Sequence, residues 1–91
     1  MPGGAERLRP LPLTSAQLGS AIRRLRTEHE LTIEVLASKA GIHWTYLTGV
    51  ERGRRNPTLK VIAAIADALE IEVSALMRLA EASDRGEGCA S

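Results

Sequence analysis

IEVLASKAGIHWTYLTGVER, residues 33–52, carries two short apolar stripes with a glycine between them. Leu36, Ala37 and Ala40 recur at i, i+1 and i+4 on one predicted helix, and Leu47 and Val50, three apart, mark a second. Helices this short meet at a steep crossing only where a small residue admits the partner, and Ala37 is the predicted point of closest approach. A leucine there would overpack the crossing at a cost of ~1 to 3 kcal/mol. Gly41 falls where the first helix ends and the chain reverses, a place that favours a left-handed backbone. Ile42 then turns into the core, and Thr32 is placed to cap the first helix by accepting from its free amides. Two such helices joined by a turn of three or four residues make a helix-turn-helix.

Outward from that pair the chain reads as helices throughout. Upstream, Thr14 and Gln17 have the spacing of a capping box, with Leu13 and Leu18 as a hydrophobic staple. Leu18, Ile22 and Leu25 then give one apolar face to a helix ending near His29, and Leu31 closes the connection. Downstream, the polar loop RGRRNP is punctuated by Gly53 and Pro57. Thr58 caps a fourth helix, about 58–69, with Leu59, Ile62, Ala66 and Leu69 on one face and Val61 and Ile65 widening it. Ser74 is the predicted cap of a short fifth helix carrying Leu76, Met77, Leu79 and Ala80. Nothing alternates with period two for long enough to form a strand. The expected organisation is a disordered arm over 1–12, one compact all-α five-helix domain over 13–82, and a disordered tail over 83–91.

Composition narrows the function. Ninety-one residues make one domain, with a core built from Leu, Ile, Val and Ala because Trp44 and Tyr46 are the only aromatics. One cysteine, Cys89, forms neither an internal disulfide nor a zinc site, which points to a reducing cytoplasmic setting. The run VIAAIADAL, 61–69, is too short to span a membrane, and the proline-rich start lacks the apolar core of a signal peptide. His29 and His43 stand on different helices without acidic ligands at metal spacing, and no phosphate loop or nucleophile elbow occurs, so no enzyme activity, metal or cofactor is expected. The net charge of +1 conceals an asymmetry, +5 over residues 1–60 and −4 over 61–91. Arginines cluster at 23, 24 and 26 and at 52, 54 and 55, beside the helix-turn-helix, and such a field attracts a phosphate backbone.

With these segments in register, LGSAIRRLR, LTIEVLASKAGI, YLTGVERGRRNPTL and IADALEI, the chain from about Leu18 to Met77 resembles the Cro and phage-repressor class of helix-turn-helix proteins, the XRE family. The resemblance implies a five-helix, phage-repressor-like DNA-binding domain whose third helix enters the major groove of double-stranded DNA, as a homodimer on a near-palindromic site. It implies a structural ion pair between Arg26 and Glu51. It places His43, Trp44, Thr45, Thr48 and Gly49 toward the bases; His43, Trp44, Thr45 and Thr48 are the candidate readers, since Gly49 has no side chain to read with. Two placements are open to Trp44: against thymine methyls or sugars in the groove, or folded back over Leu47. Tyr46 is expected beside the helix with its hydroxyl near a phosphate.

The chain also departs from the family. Ile33 stands where a phosphate-binding Gln is usual, so the phosphate grip falls to Arg23 or Arg24, Thr32, Tyr46, Arg52, Arg54, Arg55 and Asn56. Glu70 replaces the Gly or Asn expected after the fourth helix, which leaves open a left-handed glutamate or a different turn. The predicted dimer surface is Ile71, Val73, Leu76, Met77 and Leu79, part of which must instead close the core. Too little chain follows the fifth helix for a ligand-sensing domain, so no small-molecule ligand is expected. The expected function is a sequence-specific transcriptional regulator; the competing one is a protein interaction module that keeps the fold without reading DNA.

Overall fold

The computed structural model describes residues 13–90, with side chains through Ser83. Among them are five helices and no strand: α1 Ser15–Glu28, α2 Ile33–Ala40, α3 Trp44–Glu51, α4 Leu59–Ala68 and α5 Val73–Ala90. The expected arm over 1–12 lies outside the described residues.

Capping chemistry sets the helix starts. Thr14 Oγ1 accepts from the Gln17 amide at 3.2 Å while Gln17 Oε1 accepts from the Thr14 amide at 2.7 Å, the reciprocal pair of a capping box. Thr32 and Thr58 accept in the same way from the amides of Val35 and Val61. The ends share one device. After α1, α2, α3 and α4 a left-handed residue, Glu30, Gly41, Gly53 or Glu70, precedes a residue whose amide reaches back to a carbonyl in the last turn: Leu31 to Arg26, Ile42 to Ala37, Arg54 to Gly49 and Ile71 to Ala66. That is the Schellman pattern, and Leu31, Ile42 and Ile71 pack their side chains on the core, as commonly accompanies it. Glu70 therefore adopts the left-handed conformation, with φ 61°, and Glu30 does the same, with φ 58°.

The core is one cluster. Ile22, Leu36, Leu47, Ile65, Leu69 and Leu76 are its largest fully buried side chains, and every helix contributes. α1 packs on α5 and α3, and α2 packs on α4 and α3, which leaves the amino end of α3 at the surface.

Four expectations are corrected. Leu59 is 71% exposed rather than core: it is the first residue of α4, one turn short of where that helix meets its neighbours. Ser74 is not a cap, because α5 begins at Val73. α5 also continues to Ala90 through the stretch expected to be a disordered tail; Leu76, Ala80 and Ser83, at i, i+4 and i+7, are all buried and extend its inner face. Leu76 itself, expected in the dimer surface, has no exposed area and belongs to the core.

Candidate nucleic-acid interface

The amino end of α3 is built around His43. Its backbone is extended, with φ −73° and ψ 142°, and its Nδ1 accepts from the Thr45 amide at 3.2 Å and lies 2.7 Å from Thr45 Oγ1. With Nδ1 occupied as an acceptor, the neutral ring carries its proton on Nε2, a donor suited to guanine N7 or O6 or to a phosphate. The Trp44 indole stacks on this imidazole at 5.9 Å between centroids and is 48% exposed, so it does not fold back over Leu47. Thr45 is exposed, and Thr48 donates its hydroxyl proton to the Trp44 carbonyl at 3.0 Å, which leaves its oxygen as an acceptor and its methyl as an apolar contact.

The carboxyl end of α3 is held by α1. Arg26 donates through Nε and Nη2 to the two Glu51 carboxylate oxygens at 2.7 and 3.1 Å and through Nη1 to the Leu31 carbonyl at 2.8 Å. Only 13% of the Arg26 side chain and 5% of that of Glu51 reach solvent. Hydrogen bonding to Glu51 raises the guanidinium pKa, against the opposing effect of burial. Arg26 is thereby a structural cation, with its donors committed to Glu51 and the Leu31 carbonyl. Of its neighbours, Arg24 lies 3.6 Å from Glu28 one turn on, whereas Arg23 joins Arg52, Ile33 and Thr48 around a small cleft of about 160 Å³ between α1, α2 and α3.

Two glycines set this geometry: Gly19, which sequence reasoning missed, and Gly53, which it read only as punctuating the loop. Gly19, buried on α1, sits where that helix crosses the end of α3: an added Cβ would stand 2.5 Å from the Glu51 carbonyl oxygen and closer still to that of Val50. Gly53, with φ 75°, lies against Ala16, so the RGRR loop rests on the first turn of α1, and the Ser15 hydroxyl there donates to Asn56 Oδ1. Glycine on the apolar face of a helix, beside Leu18, was the available signal for the first. Gly49 has a role as well. The Arg55 side chain runs across it, with Cγ 2.8 Å from where a Cβ would be, and lays its guanidinium over the Tyr46 ring at 5.7 Å. Arg52 and Arg54 are exposed on the same loop, and Thr32 at the start of α2 is exposed with its hydroxyl engaged as a cap.

In the predicted dimer surface Ile71, Val73 and Met77 are partly buried on the core and Leu79 is 38% exposed. No helix among the described residues is long and apolar enough to cross a membrane, and no three of their His, Cys, Asp and Glu side chains gather as metal ligands.

Comparison with known proteins gives this geometry a context. A family model described as helix-turn-helix, HTH_3, matches residues 22–76, well over half of the chain. The immunity repressor protein of Bacillus phage phi105 is 43% identical over 60 residues, which is 66% of this chain and 42% of the repressor; the chain thus aligns with about two fifths of that relative's length. The restriction-modification controller protein C.AhdI from Aeromonas hydrophila superposes with a TM-score of 0.67 at 42% identity, over 68% of this chain and 94% of the controller. The controller C.Esp1396I, solved as a tetramer in complex with its natural 35 base-pair operator, superposes with a TM-score of 0.68 at 30% identity, over 72% of this chain and 87% of that one.

Proposed function

This chain belongs to the helix-turn-helix family, and from that premise we propose that it is a sequence-specific DNA-binding transcriptional regulator, a homodimer that sets α3 of each copy into the major groove of a near-palindromic operator. The observation that carries the reading is the asymmetry of α3. Its carboxyl end is locked by Arg26 and Glu51, and its amino turn presents His43, Trp44, Thr45 and Thr48 to solvent between exposed arginines on α1 and on the loop. A rigid helix with readers at the free end and cations on both flanks suits groove insertion, where phosphate contacts fix the register and base edges supply the specificity.

Arg23, Arg52, Arg54 and Arg55 are assigned to phosphates, with Tyr46 holding Arg55 in place. Thr32 and the dipole at the start of α2 add to the grip, and Asn56 orients the loop through Ser15 as well as facing the backbone. No catalytic step is assigned to any residue, and a cytoplasmic setting accords with the reading. The relatives named as repressor and as controllers support it, and so does the operator bound by one of them.

Selection of bound sequences from a random duplex library tests the proposal. The wild type should enrich a palindrome, and the double variant Arg54→Ala, Arg55→Ala should keep that preference with weaker binding. The log-log slope of affinity against salt should flatten by about 0.9 for every phosphate that the variant no longer neutralises. The exposed Trp44 indole favours one other reading, a protein interaction module. Absence of any enriched sequence at low salt would turn the assignment to that.

A further inference from the structure

Between the start of α2 and the free end of α3 lies an open depression of about 540 Å³, to which Leu31, Ile33, Trp44 and Thr48 contribute together with Glu34 and Arg52. Building on the DNA-binding reading, we infer that this notch reads the C5-methyl group of a pyrimidine, with Ile33 and Trp44 as the specificity-determining residues.

Apart from Arg52, assigned above to a phosphate, and the Thr32 hydroxyl, which can still donate to one, the lining groups do not suit a phosphate. Arg26, which also reaches the notch, is committed to Glu51 and the Leu31 carbonyl. The Thr32 hydroxyl accepts from Val35, the Thr48 proton goes to the Trp44 carbonyl, and Glu34 adds negative charge. What remains is an apolar surface to which a partly buried isoleucine and an indole 48% exposed both contribute, directly beside His43 and Thr45. Arg52 lines it and shares an adjoining cleft with Arg23, where a bound phosphate would bring base edges over the notch. The apolar group that a major groove presents is the methyl on C5 of thymine, and 5-methylcytosine carries the same methyl at the same position. Ile33, which cannot make the phosphate contact of a glutamine, gains a function in this arrangement: it is the second wall of a methyl site.

The polar edges bear on which base fits. The Glu34 carboxylate and the Thr48 oxygen accept, as the amino group of a cytosine needs, whereas Arg52 and the indole N–H donate, as the O4 of thymine needs. The methyl is common to both, and the test separates them.

In the operator obtained from the random library, each thymine is replaced in turn by deoxyuridine and each cytosine by 5-methylcytosine, and the dissociation constant is measured for the full-length wild type, Trp44→Ala and Ile33→Val. Trp44 lies outside the buried cluster and Ile33→Val removes one methylene, so both variants keep the fold, checked by circular dichroism. The wild type should lose about fourfold in affinity where a contacted thymine loses its methyl, or gain about as much where a contacted cytosine acquires one. That ratio should fall to near one in Trp44→Ala and be reduced in Ile33→Val. Equal binding of methylated and unmethylated bases at every position, with specific binding intact, overturns the methyl site and leaves the regulator standing. So does a ratio that survives in both variants, since the methyl is then read elsewhere. A library that yields no operator overturns the regulator reading and the methyl site together.

Discussion

Arg26 joins α1, the α1–α2 connection and the end of α3 through three hydrogen bonds from a single guanidinium. Removing one partner from so enclosed a pair leaves a charge without compensation, so Arg26→Met should cost about 3 to 5 kcal/mol in urea unfolding. The double variant Arg26→Met, Glu51→Leu should recover much of that loss, because it buries no stranded carboxylate. A double variant as unstable as the single one would show the pair to be worth its full Coulombic attraction instead. Because the guanidinium pKa is raised in the fold, its stabilising contribution is complete below its ordinary value and is lost only as pH climbs through the raised one; it adds no pH dependence near neutrality. Gly49 marks a limit at the same scale. In sequence it looks like a missing base reader, and its role as a lane for Arg55 depends on where a loop six residues later returns.

At the scale of helices, starts were more legible than ends. A threonine three residues before an accessible amide announces its cap in the sequence, and Thr14, Thr32 and Thr58 all act as expected. Glu30 announces nothing, because glutamate is a poor left-handed residue, and at Glu70 the sequence leaves a left-handed glutamate and a different turn both open. Both glutamates hold that conformation because Leu31 and Ile71, the next residues, are drawn onto the core and the turn follows. The α1–α3 crossing is set by Gly19. Helix propensity alone makes Gly19→Ala favourable by about 1 kcal/mol. The backbone carbonyls of Val50 and Glu51 stand in the way of the new methyl, and overpacking against main chain should cost about 1 to 3 kcal/mol instead. Urea unfolding reads the sign directly, and a stabilised variant would show that the crossing yields. Operator affinity should fall further than stability does, since α3 is the element displaced.

For the molecule as a whole, the proposed homodimer raises the question of how two copies would meet. With Leu76 fully buried, a charge there unfolds the monomer and tells nothing of assembly. Leu79, 38% exposed on the same helix, is the informative position, with Met77 and Ile71 half-buried nearby in sequence. Leu79→Glu should sediment as a folded monomer and bind its operator more weakly, because only one half-site is then engaged at a time. A variant that remains dimeric would move the interface off α5. The charge asymmetry fits this division of labour, with the basic part of the chain carrying α3 and its flanking arginines and the acidic part carrying α5.

Apolar periodicity, three threonine caps and Gly41 were enough to place α1 to α4, the turn between α2 and α3 and most of the core, because those signals are local and act within one or two turns of chain. The resemblance of the segments located Arg26 and Glu51, and the fold adds a third partner, the Leu31 carbonyl. The orientation of Trp44, the exposure of Leu59 and the burial of Leu76 all depended on which surfaces meet across the chain. Side chains with equal hydropathy and equal spacing differ only in what lies opposite them, and that is a property of packed helices rather than of any one segment.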